Sequence, residues 1–197
     1  MPASPDSFRR VMSIYPTGVT VVTARKGDGS NSGCTCNAFC SISSEPALVL
    51  VSLDSTSTTL PAIDATRASR SISLPTIAKR WPTHFARKSD DKFTGLRTAI
   101  PEGGIGGPIL IDDASAYLVC TVRELIACAD HALVIGNVEA AVNLGGSSMV
   151  FHRRRYLSIN QPAEGAACAS ARQTVKLRPA HRSEPVTSEA SAISARG

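Results

Sequence analysis

The sequence predicts a mainly β domain, an antiparallel barrel to which a few helices are added. Short runs rich in Val, Ile and Thr recur along the chain, with Gly, Pro, Asn, Asp and Ser clustered between them, as is typical of strands joined by turns. Only two or three segments space their apolar residues at the helical period. Parallel strands need a long crossover, usually a helix, so the scarcity of helices favours antiparallel pairing.

The first third of the chain predicts one helix followed by three strands. "SPDSFRRVMSIYP" has helical spacing, Ser4 or Asp6 can cap its start, and Pro16 stops it. "GVTVVTAR" is interpreted as a strand, "KGDGSNSG" as a hairpin connection, and "CTCNAFCSIS" as the second strand. "LVLVSL" is apolar and branched enough to be a buried third strand.

The rest of the chain alternates helical segments and strands before a series of strands. "DSTSTTLPAIDA" leads from a polar loop into a helix, whose first N–H groups and hydroxyls can seat a phosphate. "SRSISLP" predicts a strand, and "TIAKRWPTHFARKSDDKF" a helix in which Pro82 makes a kink or begins a new turn and Trp81 packs in the core. "PEGGIGGP" is interpreted as a loop that forms a surface turn. From Ile109 onward, "DDAS" and "ACAD" separate apolar strands, and "SMVFHRRRYLSI" is the last one.

Residues 1–159 are expected to form one domain and residues 160–197 a disordered tail. A chain of 197 residues has room for one hydrophobic core, and its 43% apolar and 19% charged residues are ordinary for a globular protein. Beyond residue 159 the chain is rich in Ala, Ser, Arg and Pro and has almost no large apolar residues.

Composition argues against several functional classes. The net charge of +5 forms no basic stripe and only 5% of residues are aromatic, so nucleic-acid binding is not predicted. No apolar run approaches the roughly 20 residues that cross a membrane. The first residues lack the basic-then-apolar plan of a secretory signal, which predicts a cytoplasmic protein without membrane association. The six cysteines are therefore expected to be reduced thiols.

Three of these cysteines, Cys34, Cys36 and Cys40, fall within one predicted strand. Their C-x-C-x3-C spacing does not match the paired knuckles of structural zinc sites, and no metal site is predicted. No cation or helix start lies beside them to lower a thiol pKa, so they are interpreted as small fillers of the core or of a cavity. Polar side chains alternate with them along the strand, and their hydroxyls and amide can hydrogen-bond a polar ring edge or a phosphate. These polar residues are Thr35, Asn37, Ser41 and Ser43.

Four segments in order, "YPTGVTVVTA", "GCTCNAFCSISSEPALVLVSLDSTSTTLPAI", "FARKSDDKFTGL" and "ADHALVIGNV", carry a family resemblance. Together they resemble the flavin reductase family with an FMN-binding split barrel, the NAD(P)H:flavin oxidoreductase component of two-component flavin-dependent monooxygenases. The resemblance covers roughly residues 8–157. "FARKSDDKF" is most similar to reductases of bacterial aromatic polyketide and other secondary-metabolite pathways. The implied fold is an antiparallel, Greek-key-like split β-barrel.

The resemblance implies a set of binding residues. The family's flavin-binding strand corresponds to Thr35, Cys36, Asn37 and Ala38, and its phosphate loop to Ser52, Asp54, Ser55, Thr56, Ser57 and Thr58. The segment that flanks the flavin corresponds to Phe85, Lys88, Ser89, Lys92 and Phe93. His131 matches the histidine on the nicotinamide side, in a turn where Ala129 replaces the family's usual glycine, and it is the one candidate catalytic residue. Arg153 and Tyr156 are either a solvated strand end or a contact to the dinucleotide pyrophosphate.

The implied activity is NAD(P)H-dependent reduction of FMN, with FAD as the alternative, by direct hydride transfer (EC 1.5.1.-). Reduced flavin would then serve a partner flavin-dependent monooxygenase or halogenase, and the reductase is expected to be a homodimer. Two alternatives stay open: an FMN-retaining enzyme that acts on a specific metabolite, and a non-catalytic split barrel that binds flavin or haem. Whether NADH or NADPH is the co-substrate is left open as well.

Overall fold

Strands dominate the structure. The computed structural model describes residues 2–66, 70–75, 81–89, 91–101, 106–110, 112, 114–159 and 177–179. Its helices are α1 (Pro5–Met12), α2 (Leu60–Thr66) and α3 (Trp81–Phe85). Its strands are β1 (Thr17–Gly18), β2 (Thr20–Arg25), β3 (Asn31–Cys36), β4 (Phe39–Ser44), β5 (Ala47–Asp54), β6 (Arg70–Pro75), β7 (Thr98–Pro101), β8 (Ile109–Leu110), β9 (Ala114–Cys128), β10 (His131–Asn143), β11 (Met149–His152), β12 (Arg155–Ser158) and β13 (Leu177–Pro179). The described strands pair antiparallel throughout, which confirms the predicted fold class.

The central sheet has seven strands in the order β3-β2-β6-β9-β10-β5-β4. Its two edge strands follow each other in sequence, and only residues 37–38 separate them. Such a link spans about 11 Å at most, so the two edges of the sheet lie close together. The Ser52 N–H in β5 donates to the Ala38 carbonyl at 2.9 Å and so extends the β4–β5 ladder into this link, while the Cys36 thiol of β3 donates to the Ser52 carbonyl at 3.4 Å. The sheet therefore curls on itself as a barrel requires, although no ladder between β3 and β4 closes it among the described strands.

This corner corrects one prediction. "CTCNAFCSIS" is not one strand, because the chain turns at Asn37 and Ala38 and continues as β4 on the opposite edge of the sheet. The neighbours β2–β6 and β5–β10 are distant in sequence, in keeping with the expected Greek-key-like order.

Strand β2 is buried on both faces and divides the core. Val22 on one face packs inside the barrel with Val51, Val134 and Ile63, the last of which is supplied by α2. Val21 on the other face packs against Phe85 at the end of α3. Because successive side chains of a strand point to opposite faces, β2 supports both the barrel interior and the segment that contains α3.

The segment around α3 is less helical than predicted. α3 covers Trp81–Phe85, and residues 86–89 and 91–93 of the predicted helix are not helical. Pro82 lies in the first turn of α3, where the backbone N–H that proline lacks would have no partner within the helix. Pro82 thus begins a helix rather than kinking one. Residues 76–80 and the side chain of Trp81 lie outside the described part of the chain.

The end of the domain also differs from the prediction. "SMVFHRRRYLSI" forms two strands, β11 and β12, in a three-stranded sheet with β1. Arg153 and Arg154 make the turn between them in the left-handed conformation, with φ of 49° and 61°. In the predicted tail, Leu177–Pro179 form a strand paired with β7 where the sequence predicted none. The other tail residues lie outside the described part.

Helix α1 lies on the surface with its apolar side chains uncovered. Ser4 caps it by accepting from the Ser7 N–H at 3.3 Å, and none of its residues is buried. Phe8 and Val11 are 60% and 67% exposed. No helix in the described part of the chain is long and apolar enough to cross a membrane.

Candidate functional site

The turn between β9 and β10 places His131 between two neighbouring strands. In the register of the sheet, His131 lies opposite Cys128 of β9 and opposite Asp54, the last residue of β5. The turn consists of Ala129 and Asp130, and Ala129 has φ 53°, in the region that favours glycine. An alanine can hold this conformation at a cost of about 1 kcal/mol. The replacement of the family's glycine therefore leaves the turn intact.

Two carboxylates flank His131. Its Nδ1 lies 2.8 Å from Oδ1 of Asp130 and donates to it, because an ionised carboxylate only accepts. The hydrogen bond from His131, with the charge of its ring, lowers the pKa of Asp130. The hydroxyl and N–H of Thr56 lower the pKa of Asp54, and the charges of His131 and Lys88 add to this effect. Both carboxyl groups are therefore ionised at neutral pH, and Asp130 fixes the orientation of the ring.

The loop after β5 is tied to this turn. The N–H and hydroxyl of Ser55 donate to the Asp130 carbonyl at 3.0 and 2.9 Å. The N–H and hydroxyl of Thr56 donate to the Asp54 carboxylate, both at 2.7 Å. Residues 54–58 and the histidine turn thus form one hydrogen-bonded unit.

Lys88 reaches this loop from the segment after α3. Its Nζ lies 3.4 Å from Oγ1 of Thr56, and both residues are exposed. Thr58 is exposed beside them and makes no side-chain hydrogen bond within the described residues. The Ser55 and Thr56 hydroxyls already donate to Asp130 and Asp54, so the Lys88 ammonium and the Thr58 hydroxyl are the side-chain donors here from which a phosphate group could accept.

The predicted flavin-binding strand ends at the same place. Asn37 and Ala38 are exposed at the corner between β3 and β4, and Ala38 is hydrogen-bonded to the half-buried Ser52, two residues before Asp54. Thr35 and Cys36 face elsewhere. The Thr35 hydroxyl donates to the Pro82 carbonyl at 2.7 Å, and the buried Cys36 thiol donates to the Ser52 carbonyl at 3.4 Å. Both side-chain donors are thus used within the protein, and the Cys36 carbonyl accepts from the Thr20 hydroxyl at 2.8 Å.

The structure changes the interpretation of three residues at the end of α3 and beyond it. Phe85 is fully buried and Lys92 is 5% exposed, so neither has surface for a flavin. Phe93 packs its ring against Phe85 in an edge-to-face contact at 5.2 Å. These residues support the segment that carries Lys88, whereas Ser89 is exposed and accepts from the Asp91 N–H at 3.2 Å.

The predicted dinucleotide contacts lie in the other sheet. Arg153 is exposed in the β11–β12 turn, and its N–H donates to the Ser13 carbonyl after α1 at 2.8 Å. Tyr156 is half-buried against Phe151, and burial raises the pKa of its hydroxyl. Within the described residues, no hydrogen bond or ion pair joins this hairpin to His131 or to residues 54–58, and its role in binding stays a prediction.

The three neighbouring cysteines separate by environment. Cys34 and Cys36 pack in or against the barrel core, and burial raises the pKa of Cys34 and takes that of Cys36 to about 12. Cys40 on the edge strand β4 is exposed, so the interpretation as a filler is wrong for it. Within the part of the chain that the structure describes, no group of His, Cys, Asp and Glu side chains is placed to hold a metal ion.

Sequence reasoning did not identify the role of Asp130. The only signal in the sequence was that Asp130 directly precedes His131. Side chains of adjacent residues usually point in different directions. The 2.8 Å contact between Asp130 and His131 forms in a turn whose first residue, Ala129, has the left-handed conformation.

Comparison with known proteins assigns the family. Residues 12–160 match the profile of the flavin reductase like domain. The chain is 38% identical over 152 residues to the reductase component of a flavin-dependent trigonelline monooxygenase from Acinetobacter baylyi, covering 77% of this chain and 48% of that protein. It is 35% identical to the actinorhodin polyketide dimerase of Streptomyces coelicolor, covering 92% of this chain and 99% of the relative.

A solved structure agrees with these matches. The NADH:FAD oxidoreductase SgcE6 of Streptomyces globisporus, in complex with NAD and FAD fragments, is 28% identical and superimposes with a TM-score of 0.72 over 83% of this chain and 99% of that chain. With about three quarters of its length inside one family profile, the chain belongs to the flavin reductase like domain family.

Proposed function

We propose that this protein is an NAD(P)H:flavin oxidoreductase that reduces FMN for a partner oxygenase. One observation carries the proposal. The serine- and threonine-rich loop of residues 54–58, with Lys88 beside it, is hydrogen-bonded to the turn that holds His131, and both lie beside the exposed corner at Asn37. Family membership supports the reaction class. Relatives named as NADH- and NADPH-dependent flavin reductases support both nicotinamide co-substrates.

The residues divide into a phosphate side and a nicotinamide side. Lys88, Thr58 and the loop around them would hold the flavin phosphate, and Asn37 with the backbone of Thr35 and Cys36 would hydrogen-bond the ring edge. The bound flavin accepts a hydride from the nicotinamide without any side-chain nucleophile. His131 would then orient the nicotinamide, and Asp130 would accept the hydrogen bond from Nδ1 of His131 that fixes the ring.

A homodimer is part of the proposal. The outer face of the sheet, opposite the barrel interior, presents half-exposed aliphatic side chains in register on three strands: Leu50 of β5, Leu133 and Ile135 of β10, and Ile126 of β9, which is 38% exposed. His131 ends the same row on β10. A second copy on this face would bury the aliphatic patch and form a wall beside the site.

The remaining assignments follow from the family. We propose a single catalytic domain over residues 1–159, action in the cytoplasm, and release of reduced flavin to a monooxygenase or halogenase. The similarity to a monooxygenase reductase component supports the last point.

The test is steady-state oxidation of NADH and NADPH with added free FMN. Turnover that saturates with FMN is expected. A protein that stays inactive until a further metabolite is added would be an FMN-retaining enzyme instead, and a haem absorbance band in freshly purified protein would contradict the proposal outright.

Two variants separate the sides of the site. Asn37→Ala should weaken FMN binding by roughly 1–3 kcal/mol, because it removes one or two hydrogen bonds to the flavin. His131→Ala should raise the Michaelis constant for NADH or slow hydride transfer and leave FMN affinity nearly unchanged. The reverse pattern would place His131 in the flavin pocket.

Light scattering tests the dimer. The wild-type protein should have twice the chain mass, and Ile126→Asp should shift it toward the monomer. A monomeric wild-type protein with full activity would show that the site does not need a second copy of the chain.

A further inference from the structure

Lys92 is a buried lysine whose ammonium donates to two backbone carbonyls. Its Nζ donates to the Gly33 carbonyl in β3 at 2.8 Å and to the Phe85 carbonyl at the end of α3 at 3.2 Å. A lysine is almost never this buried unless its amine has hydrogen-bond partners. The two carbonyls provide such partners and fix the position of the Lys92 amine. Lys92 therefore fastens the end of α3 to the edge of the barrel.

Two further contacts bring the same pair of positions together. Nε2 of His84 donates to the Lys92 carbonyl at 2.8 Å. The ring of Phe93 meets the ring of Phe85 at 5.2 Å, and both rings press on Gly33, where an added Cβ would lie 3.0 Å from Phe93 and 3.1 Å from Phe85. Residues 85 and 92 are thus held against each other and against β3.

Lys88 lies between these two fixed positions. Its ammonium reaches across to Thr56 of the phosphate loop at 3.4 Å. The side chain of a lysine is long and mobile, so its contribution to binding depends on how well its backbone is placed beforehand. The backbone between residues 85 and 92 carries Lys88, and the hydrogen bonds of Lys92 hold both ends of this segment against β3.

We propose that Lys92 is a positioning residue, which fastens the segment after α3 so that Lys88 reaches a phosphate bound at residues 54–58. Lys92 does not touch the ligand and acts only through Lys88. This inference rests on the proposed function, in which that loop and Lys88 receive the phosphate of FMN.

Riboflavin provides the test, because it has the same ring system and ribityl chain as FMN and lacks the phosphate. Equilibrium binding of FMN and of riboflavin is measured by flavin fluorescence in the full chain and in Lys88→Met, Lys92→Met and Lys26→Met. Lys26, half-buried in the turn between β2 and β3, is the matched control for loss of a lysine near β3.

Lys88→Met should weaken FMN binding by about tenfold, as for one hydrogen bond between charged groups, and leave riboflavin binding unchanged. Lys92→Met should show the same selective loss, by about three- to tenfold, and Lys26→Met should not change the preference for FMN. The double variant Lys88→Met with Lys92→Met should be no worse than Lys88→Met alone, since both act through one contact.

The outcomes separate the positioning role from the proposed function. If Lys88→Met lowers the preference for FMN and Lys92→Met does not, the positioning role is overturned and the phosphate site stands. If neither variant alters the preference, the phosphate site itself is wrong, and the positioning role falls with it. Equal weakening of both flavins in Lys92→Met would show general damage to packing and would also overturn the proposal. If Lys92→Met does not fold, Lys92→Gln replaces it, with the same expected selective loss.

Discussion

Gly107 allows a close approach of two backbone segments, and its replacement by alanine should destabilise the fold strongly. Residues 106–108 are buried, so the prediction of a surface turn is wrong for this end of "PEGGIGGP". A Cβ at this position would lie 2.5 Å from the backbone carbon of Thr23, 2.5 Å from the nitrogen of Ala24 and 2.7 Å from the Thr23 hydroxyl. Ordinary carbon contacts are about 3.5–4.0 Å, so the overlap is about 1 Å. Two of the three atoms belong to the backbone of β2, which is buried on both faces and cannot move aside.

The expected cost is the sum of two effects. Overpacking in a core costs about 1–3 kcal/mol. The clash also threatens the buried hydrogen bond from the Thr23 hydroxyl to the Pro108 carbonyl at 2.9 Å, which contributes about 0.5–1.5 kcal/mol. Gly107→Ala should therefore lower the free energy of unfolding by about 2–4 kcal/mol, which corresponds to a fall in Tm of roughly 4–16 °C for a chain of this size.

Urea unfolding followed by circular dichroism measures this change. Gly18→Ala is the matched control, because an added Cβ at Gly18 would meet nothing within 4 Å, and its stability should stay within about 0.5 kcal/mol of the wild type. A Gly107→Ala protein as stable as the control would refute the close packing of residues 106–108 on β2.

Three further predictions concern the site. Asp130→Ala should raise the Michaelis constant for NADH and leave FMN binding unchanged, because it removes the hydrogen-bond acceptor that orients His131; steady-state kinetics with a flavin titration would contradict this if FMN affinity fell instead. The lowered pKa of Asp54 means that its stabilising contacts are complete above the ordinary aspartate range of about 4 and are lost as pH falls through the lower folded-state value. Flavin binding measured from pH 7 downward should therefore decline below about pH 4, and an Asp54→Asn protein with the same decline would show that another group is responsible. Thiol labelling at pH 8 followed by peptide mapping should modify Cys40 and spare Cys36, whose pKa is about 12 and whose thiol is buried; equal labelling of the two would contradict the core position of Cys36.

Most strands could be predicted from the sequence because their signal is local. Runs such as residues 20–25 and 47–54 combine β-branched residues with flanking turn residues, and both form strands. The same local logic misplaced the end of a strand at Asn37, because nothing in "CTCNAFCSIS" marks a corner. That corner exists because the sheet must curl to bury its inner face, which is a property of the whole barrel.

The candidate phosphate loop and His131 could also be predicted to lie together beforehand, through ordered motifs that resemble a family, and the structure places them side by side. Phe85 and Lys92 show the limit of this approach. They belong to the segment that the resemblance predicts to flank the flavin. The motif does not say which side chains of this segment face a ligand and which face β2 and β3. Burial decides it, and burial depends on the packing of distant strands.

By itself, the sequence determined the antiparallel β class, the positions of most strands, the absence of a zinc knuckle, and the family that its motifs resemble. These features depend on residue type and short-range spacing, which a linear chain displays in full. Only the tertiary structure decided that Asp54, Asp130 and Lys88 gather around one loop beside His131, and that Lys92 is buried against β3. Such contacts join residues more than thirty positions apart, and they exist only once the sheet has curled and β5 lies in register with β10.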